Sequence, residues 1–461
     1  MLMTTTVSAN VAATAEMISA RLERLPMSRW HVKARVIVGA VTFFDGFDQL
    51  MIAYSLPVLI PKWDLTPSGI AWVIAIGGLG MLVGALAGGW LADRVGRLNV
   101  IIASLALYAV MSLGMAFTDS LVLFLVFRFV QGIGLGAEVP VAASYIGEIT
   151  KAHKRGRFVL LYEVIFPIGL VMSAIVSAWV VPNFGYKVLF ALGALPVLLL
   201  PLIWRLPESP RWLASRGRFD DAHNAMTRIE DEVTGKYGKT LPAPQPLSAV
   251  AVDARHGRFR EAFQGVYLRR TLMLAGIWGC AYFVNYGIAS WLPSLYHSAF
   301  DVSVETALHY SIVTSVAGLI GCVLVAFLID NLGRRICITA SMVFCSSLLF
   351  LLAATGADTA TKVLFWSAGS ALFVFAVNMA LYVYTAELYP TRMRAIGCAI
   401  GGASGRLGII VGPLAVGAIL DGGGTLTVVF GMFSAVALIG ALVVGFFAVE
   451  TREKTLEEIS Q

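Results

Sequence analysis

The segment from Val36 to Ile60 reads VIVGAVTFFDGFDQLMIAYSLPVLI and is long and apolar enough to cross a lipid bilayer. It nevertheless carries two carboxylates near its middle, and a charge at that depth is costly unless it faces protein or water. Helical spacing places four of its side chains on one face: Asp45, Asp48, Gln49 and Ile52. We therefore expect this face to line a polar cavity. The alternative is that the two acids only form hydrogen bonds to neighbouring helices.

The composition is that of a protein embedded in a membrane. Hydrophobic residues make up 58% of the 461 residues, charged residues make up 13%, and the mean hydropathy is +0.80, far from the balance of a soluble domain. A net charge of +6 could suggest a nucleic-acid partner, but the placement of the charges argues against one. Of the 34 lysines and arginines, 29 fall on one side of an alternating topology, and only Lys62, Lys187 and Lys362 fall on the other. This asymmetry predicts cytoplasmic amino and carboxyl termini in a bacterial-type inner membrane.

Twelve apolar segments predict an all-α, polytopic membrane protein with twelve transmembrane helices in two pseudo-symmetric six-helix bundles. Their approximate bounds are 36–60, 69–92, 98–117, 121–146, 158–181, 187–206, 271–295, 308–329, 336–354, 362–386, 395–420 and 426–448. The predicted domains are a cytoplasmic amino-terminal segment (1–35), a first bundle (36–206), a cytoplasmic linker with helical segments (207–270), a second bundle (271–448) and a cytoplasmic tail (449–461).

The two bundles share sequence motifs at a nearly constant separation. The pattern DxxGR occurs at Asp93–Arg97 and again at Asp330–Arg334, 237 residues later. The pattern YxxE followed by an arginine occurs at Tyr145, Glu148 and Arg155, and it recurs 239 residues later. These offsets indicate duplicated bundles, an architecture in which the substrate sits at the midplane between the repeats.

The sequence shows no motif for a metal, a cofactor or covalent catalysis. Its five cysteines lie in or at the ends of apolar segments, without a CxxC pattern or a histidine at ligand spacing, so we interpret them as packing residues. No HExxH motif, P-loop or nucleophile motif occurs in a credible setting. We therefore expect no enzymatic activity and no cofactor. Nothing in the sequence predicts an oligomer, and we expect a monomer.

Several ordered motifs resemble those of the major facilitator superfamily. GWLADRVGR at Gly89–Arg97 is similar to the signature of the loop between spans two and three in that superfamily, with an echo at Asp330–Arg335. Five further motifs resemble those of the sugar-porter-related branch: RFVQGIGLG, YIGEITKAHKRGR, PESPRW, AELYPTRMRAIG and the carboxyl-terminal VETREKTLEEI. The likeness covers nearly the whole chain from residue 21, and it implies a carrier that works by alternating access.

Details within that branch favour an organic acid over a sugar. DGFD at Asp45–Asp48 resembles the aromatic acid:proton symporters, and GRLG at Gly405–Gly408 resembles the organic anion transporters. The leader ERLPMSRWHVKAR is similar to bacterial nicotinate and other organic-ion carriers of the synaptic-vesicle-protein-like group. Sugar porters usually show glutamines in spans five and seven, where this chain has Glu163 and Asn285. This departure argues against a polyhydroxylated substrate.

Arg406 is the strongest candidate for the substrate site. It lies some dozen residues into span eleven, about 17 Å along a helix that rises about 1.5 Å per residue, which places it near the bilayer midplane. A substrate carboxylate could supply the counter-charge that a guanidinium lacks at that depth, and it could do so with bidentate geometry. The alternative is a structural pairing with a nearby acid or with backbone carbonyls.

Aromatic and amide side chains at helical spacing complete the predicted substrate site. Span seven carries an aromatic stripe at a spacing of four residues, which begins at Trp278. A flat ring held between aromatic faces, with an amide or a tyrosine bonding a ring heteroatom, fits these residue types. The alternative is that each aromatic residue only packs against a helix or contacts lipid. The predicted substrate-binding residues are Arg406, Tyr282, Asn285, Tyr286, Asn378, Tyr382 and Gln49.

Proton coupling needs a side chain whose charge changes during the transport cycle. The resemblance to proton-coupled sugar porters implies that Asp48 carries the proton and that Arg128, in span four, is its partner. A movable arginine beside a carboxyl group converts a conformational change into a change of proton affinity. We place Asp45 second as a proton carrier. Glu138 and Glu163 are weaker candidates, and their alternative role is to form structural hydrogen bonds or parts of a gate.

Charged residues at the cytoplasmic ends of the spans form a third predicted set. In related carriers such residues form salt bridges that close the inner gate when the outer side is open. Ordinary topogenic charge explains the basic excess but not the matching acids at repeated spacing. Asp93 and Asp330 precede spans three and nine, where a carboxylate favours a helix amino terminus. The predicted gate residues are Asp93, Arg97, Glu148, Arg155, Glu208, Arg211, Asp330, Arg334, Glu387, Arg394 and Glu450.

The sequence thus predicts a proton-coupled importer of a small aromatic or heteroaromatic monocarboxylate, such as nicotinate or a benzoate-like acid. Its partners would be this carboxylate, protons and the lipid bilayer. The alternatives are a sugar carrier or an organic-cation carrier of the same superfamily and, further away, a non-transporting membrane sensor. Arg406 argues against a cation, and the absent glutamines argue against a sugar.

Overall fold

A computed structural model describes residues 16–150, 164–235, 241–244, 259–390 and 393–452. Within these residues there is no β-strand, and twelve helices are long and apolar enough to cross a membrane. Numbered α1 to α12 in chain order, they are Arg29–Trp63, Pro67–Val95, Arg97–Phe117, Leu121–Ile149, Ile165–Phe184, Tyr186–Ile203, Gly265–Phe300, Val304–Leu332, Arg334–Thr355, Ala360–Leu388, Arg394–Asp421 and Leu426–Phe447. The predicted all-α class and the twelve spans are confirmed.

Several helices differ in length from the apolar segments that predict them. The helix α1 begins at Arg29 and α7 begins at Gly265, because a helix can continue through polar residues beyond the apolar stretch. The sixth span is shorter than its predicted segment and interrupted, since its α-helix stops at Leu192 and a 3₁₀ turn follows over Leu195–Leu199. Hydropathy therefore locates the spans but not their ends.

The twelve helices form two halves, α1–α6 and α7–α12, that meet along matching pairs. Within the halves, α2 packs on α4 and α8 packs on α10, which are equivalent pairs in the two repeats. Between the halves, α2 packs on α11 and α5 packs on α8, which are again equivalent. We call the side of the molecule that carries the 204–264 connection the linker end, and the opposite side the far end.

Glycines allow α2 and α4 to touch through their backbones. A Cβ at Gly80 would lie 2.0 Å from the carbonyl oxygen of Phe129, and a Cβ at Gly84 would lie 2.0 Å from that of Ile133. No side chain fits at either position, because the neighbouring atoms belong to a helix backbone that cannot turn aside. Small residues at this spacing are typical of close helix packing in membranes.

Replacing Gly84 by alanine should therefore destabilise the protein by about 1–3 kcal/mol, as overpacking does in other interiors. Gly89 on the same helix is a matched control, because nothing lies within 4 Å of a Cβ built there. Gly89→Ala should be neutral or stabilising by about 0.5–1 kcal/mol, since alanine favours a helix interior. Thermal unfolding in detergent compares the two variants. Equal melting temperatures would contradict the close packing of α2 on α4.

A helix of residues 16–23 docks on the long linker helix, Phe219–Gly235. Arg21 and Arg24 each place a guanidinium nitrogen 2.6 Å from a carboxylate oxygen of Glu230. Apolar side chains of both helices, such as Leu22 and Ile229, are buried in one cluster with the linker end of the first half. Burial raises the pKa of Glu230, but hydrogen bonds from the two arginines outweigh it, so that this pKa lies below its usual value.

The lowered pKa of Glu230 gives the docking a defined pH dependence. A depressed carboxyl pKa stabilises the folded arrangement above the unfolded-state value, about 4.3, and this contribution is lost as the pH falls through the folded-state pKa. Glu230→Gln should make residues 16–25 more sensitive to protease at neutral pH. In acid, the protease sensitivity of the wild-type protein should rise towards that of the variant. Glu232→Gln is the control, because the Glu232 carboxylate is half-exposed and lies 3.5 Å from Lys33. Equal cleavage of both variants would contradict the role of Glu230.

Candidate substrate cavity and buried charge cluster

A cavity at mid-depth lies between the two halves. The space between its lining atoms is about 850 Å³, including the part open to solvent. All seven side chains predicted to bind substrate line it: Gln49, Tyr282, Asn285, Tyr286, Asn378, Tyr382 and Arg406. Their placement fits the predicted role, and the role itself remains a prediction. Residues that the sequence did not single out for this site, including Thr42, Met81 and Cys322, also line it.

Three aromatic rings of α7 form a continuous stack along the cavity wall. The ring centroids of Trp278 and Tyr282 are 5.2 Å apart, those of Tyr282 and Tyr286 are 5.7 Å apart, and both pairs are nearly parallel. Tyr382 of α10 meets the Trp278 ring edge-on at 5.0 Å, and its hydroxyl lies 3.3 Å from that of Tyr282. The wall therefore offers flat apolar faces with phenolic hydroxyls at their edges, a surface suited to a planar ring.

Glycines of α11 hold Arg406 beside this stack. A Cβ at Gly405 would lie 3.0 Å from the Trp278 ring, and a Cβ at Gly408 would lie 2.5 Å from the carbonyl oxygen of Gly279. Because both glycines lack side chains, α11 approaches α7 closely, and the arginine between them reaches the cavity. The GRLG motif thus has a packing role that supports the position of its arginine.

Arg406 has no acidic partner among the described residues. Its Nη1 donates to the carbonyl oxygen of Gly402 at 3.1 Å, and its Nη2 donates to that of Gly136, across the cavity in α4, at 3.5 Å. Its Nε is buried and has no hydrogen-bond partner. The backbone pairing considered as an alternative is therefore present but incomplete. A guanidinium with free donors and no counter-charge is an anion site by its chemistry.

A second side chain of the cavity lining also has an unpaired polar atom. The side-chain oxygen of Asn378 in α10 is buried without a hydrogen-bond partner, while the amide nitrogen of Gln49 donates only to the sulfur of Met81, at 3.5 Å. Buried polar groups are normally paired, so these atoms have hydrogen-bonding capacity that a ligand can use. The cavity thus combines an anion site, aromatic faces and two amides.

The cavity is closed towards the far end. The hydrogen bonds that join the two halves within the described residues lie at mid-depth or beyond, and those nearest the far end connect Ser68 with Asp421 and Tyr54 with Ser315. In α2, eight buried residues lie before Met81 and three after it, so this helix leaves the interface towards the linker end. Tyr382, on the linker side of the cavity, is 39% exposed although its ring contacts the central stack.

The two aspartates of α1 lie apart from the cavity, contrary to the expectation that they line it. Asp45 and Asp48 are fully buried inside the first half, and of their predicted face only Gln49 reaches the cavity. Asp48 interacts with the charge of Arg128, whose Nη1 donates to Gln131 at 2.6 Å. Helical spacing identifies residues on one face, but it does not identify which neighbouring helix covers that face.

Two glycines make room for this buried pair. A Cβ at Gly77 would lie 2.7 Å from the Nε of Arg128, and a Cβ at Gly193 would lie 2.7 Å from a carboxylate oxygen of Asp48. Glu138 of α4 also belongs to the cluster, since it is 0% exposed and interacts with Asp45. By sequence, Glu138 is only a weaker candidate for proton coupling, and that role remains a prediction. Glu163 and Arg155 lie outside the described residues.

The predicted gate residues that the structure describes pair inside each half, and none of them pairs between the halves. Arg97 lies 2.7 Å from Asp93 and 3.0 Å from Glu148. The equivalent Arg334 lies 2.9 Å from both Asp330 and Glu387. Arg211 lies 2.9 Å from the carboxylate of Glu23. Arg394 donates a hydrogen bond to the carbonyl oxygen of Ala386 at 2.9 Å. Their role as a gate remains a prediction.

Distant glutamates, and not the nearby aspartates, cap helices α3 and α9. Glu208 accepts a hydrogen bond from the backbone nitrogen of Leu98 at 3.1 Å, and Glu450 accepts from those of Arg334 and Arg335 at 2.9 and 3.1 Å. Asp93 and Asp330 lie in the last turns of the preceding helices, α2 and α8. Burial raises the pKa of Glu208, although backbone hydrogen bonds to its carboxylate oppose the shift. The predicted position of these aspartates at helix amino termini was wrong, because the capping groups come from remote parts of the chain.

Twelve spanning helices in two related halves around one central cavity are the architecture of a major facilitator transporter. The solved structure of a D-xylose–proton symporter shares this fold with a TM-score of 0.70 and 19% identity, over 93% of this chain and all of that one. Residues 13–461 match the family described as "Sugar (and other) transporter". The chain belongs to this family, it is a multi-pass membrane transporter, and it is not an enzyme.

Curated relatives carry small organic acids according to their names. The niacin transporter NiaP of Acinetobacter baylyi is 34% identical over 440 residues, which cover 95% of this chain and 98% of the relative. A gallate transporter of Pseudomonas putida is 27% identical over 427 residues, which cover 92% and 93%. The predicted resemblance to aromatic-acid and nicotinate carriers is confirmed.

Proposed function

We propose that the protein is a proton-coupled secondary transporter that imports a small aromatic or heteroaromatic monocarboxylate, such as nicotinate or a benzoate-like acid. The observation that carries the proposal is Arg406, a guanidinium without an acidic partner beside a stack of three aromatic rings. A planar acid satisfies both features at once, since its carboxylate pairs with the arginine and its ring packs on the aromatic faces. The names of the niacin and gallate relatives support the same class of substrate.

The cavity walls suggest how the ring is oriented. With the carboxylate on Arg406, the ring lies against Tyr282 and Tyr286, and its distal edge faces the amides of Asn378 and Asn285. An amide can donate to a pyridine nitrogen or accept from a ring hydroxyl, so both heteroaromatic and hydroxylated acids fit. A sugar would leave the arginine without its counter-charge, and an organic cation would face a like charge.

The orientation in the membrane follows from charge. The linker end carries nearly all lysines and arginines outside the spans, and this excess supports a cytoplasmic linker end with both termini inside an inner (plasma) membrane. Because the cavity is closed at the far end, a cytoplasmic linker end makes this arrangement an inward-facing state. The paired gate residues would come together across the halves when the far end opens.

Proton coupling is assigned to the buried acids of α1. Asp48, beside Arg128, is the leading carrier, and Asp45 is second. When substrate binding moves α4 relative to α1, the distance between Arg128 and Asp48 changes. The proton affinity of Asp48 then changes as well, because a nearby positive charge favours its ionised form. Import follows from the inward proton gradient of a cell membrane.

Uptake into proteoliposomes under an imposed pH gradient tests this function. Nicotinate should accumulate above its equilibrium level when the outside is acidic, and a protonophore should abolish the accumulation. Glucose and choline should not accumulate. Because uncharged weak acids cross lipid on their own, protein-free liposomes supply the baseline. Accumulation of choline or glucose in place of the acid would overturn the substrate class, and acid uptake indifferent to the gradient would overturn the coupling.

A further inference from the structure

A pair of buried carboxyl groups lies beside the predicted proton carrier. Asp45 of α1 and Glu138 of α4 interact with each other, and they are 2% and 0% exposed. Both oxygens of Asp45 and one oxygen of Glu138 are buried without a hydrogen-bond partner. The hydroxyl of Thr42 donates to the other oxygen of Glu138 at 3.5 Å. Within the part of the chain that the structure describes, the pair thus has more acceptor atoms than the surrounding protein has donors.

Among the described residues, no basic side chain neutralises this pair. Arg128 is the basic group of the described part of this region, and the carboxyl group with which it interacts is that of Asp48. Two ionised carboxylates in contact away from water would repel strongly and remain desolvated. A single proton converts that repulsion into an O–H···O⁻ hydrogen bond, and it satisfies two of the unpaired oxygens.

The other ionisable groups around the pair are few. Asp48 faces it from α1, Tyr108 faces it from α3 and Arg128 lies in α4. The tyrosines of α7 line the cavity on the side of the second half. Helix α5 carries no ionisable side chain in its described range, and the ionisable side chains of α6 lie at its first residues, at the far end. None of these groups supplies a positive charge to Asp45 or Glu138.

Thr42 connects the pair to the cavity. It lies three residues before Asp45 on the same helical face, it lines the cavity, and its hydroxyl points at Glu138. A hydroxyl can accept a proton from water on one side while it donates to a carboxylate on the other. One side chain therefore separates the carboxyl pair from the solvent of the inward-facing cavity.

We propose that Asp45 and Glu138 jointly bind one exchangeable proton, in addition to the proton assigned to Asp48, and that it exchanges with the cavity through Thr42. In this step a hydronium ion in the cavity gives its proton to the Thr42 hydroxyl and becomes water, while the proton that this hydroxyl carried passes to the carboxylate oxygen of Glu138. One O–H bond of hydronium breaks, one O–H bond forms on the carboxylate, and the Thr42 hydroxyl is restored. The importance of the site for transport rests on the proposed proton coupling, but proton binding itself does not.

Infrared difference spectroscopy of the purified protein between alkaline and acidic buffer detects the proposed proton directly. Wild type should show a carbonyl band of a protonated carboxyl group that shifts in heavy water. Asp45→Asn and Glu138→Gln should each remove this band, because an amide donates the missing hydrogen bond without a proton. Asp48→Asn should keep it, and so should Asp119→Asn, which alters an exposed acid. A band that survives both Asp45→Asn and Glu138→Gln, or that disappears only in Asp48→Asn, would overturn the proposal.

Thr42 provides a second, kinetic test that does not depend on removing an acid. Thr42→Val should keep the band but slow its exchange into heavy water, whereas Thr42→Ser should exchange like wild type. Equal exchange in the two variants would overturn the route through Thr42. A band that sodium ions displace at constant pH would identify a cation site and overturn the proton assignment. If the band behaves as expected but no acid accumulates in proteoliposomes, the proposed function fails while this site stands.

Discussion

Arg406→Ala should lose substrate binding by the largest factor of any single change in the cavity. The variant leaves a carboxylate without its charged partner in a largely buried site, and truncating one member of a buried charge pair costs about 2–5 kcal/mol. This corresponds to roughly 30- to 5,000-fold weaker binding of nicotinate. Radioligand binding to purified protein in detergent measures it directly.

Two further variants separate charge from folding. Arg406→Lys keeps the charge but loses the Nε donor and the fork geometry, so it should bind more weakly than wild type and more tightly than Arg406→Ala. Arg216→Ala removes an exposed arginine that follows the short linker helix, Pro210–Ser215, and it should bind like wild type. Arg406→Ala protein that is folded and binds nicotinate with wild-type affinity would remove Arg406 from the site.

Asp48→Asn should eliminate uphill accumulation while leaving substrate exchange intact. Asparagine has the shape of aspartate but cannot gain or lose a proton in this range, so the pH gradient no longer drives transport. Counterflow across proteoliposomes measures exchange without a proton gradient, and it should continue. Uptake against a concentration gradient by this variant would exclude Asp48 as the carrier.

A loss of folding must be separated from a loss of coupling in this experiment. Removing the carboxylate leaves Arg128 buried without its counter-charge, a change that typically costs about 3–5 kcal/mol. A double variant, Asp48→Asn with Arg128→Met, removes both charges and should recover melting temperature without recovering accumulation. Recovery of accumulation by the double variant would contradict a role of this pair in coupling.

The residues that line the cavity could be predicted from the sequence because their placement depends on local periodicity. Tyr282 and Tyr286 share a face at a spacing of four, and a lone arginine at mid-depth must face protein or water. The glycines on either side of Arg406 add a local packing signal, since they bring α11 against α7. Such features are determined by residues close together in the chain. The helix period alone is enough to place them.

The rest of the site depends on contacts between distant segments. The side chains of Asp48 and Gln49 diverge by about 100° around α1, so one meets Arg128 inside the first half and the other meets the cavity. Helix α3 is capped by Glu208, 110 residues beyond the capped nitrogen, and not by Asp93 next to it. Periodicity in one segment carries no information about such a partner.

The proposed substrate site and the proposed proton carriers occupy separate but adjacent places. The cavity lies between the halves, while Asp45, Asp48 and Glu138 lie inside the first half. Gln49 and Thr42 belong to the same helix as the two aspartates and face the cavity. A small movement of α1 on substrate binding would therefore reach the buried acids without exposing them to lipid.

Calorimetric titration of the purified protein with nicotinate and with nicotinamide tests the central claim most directly, because the two ligands differ only in the group that should meet Arg406. A charge-assisted hydrogen bond is worth about 1.5–3 kcal/mol, so nicotinamide should bind roughly 10- to 150-fold more weakly than nicotinate. Equal affinity for the acid and its amide would contradict the account.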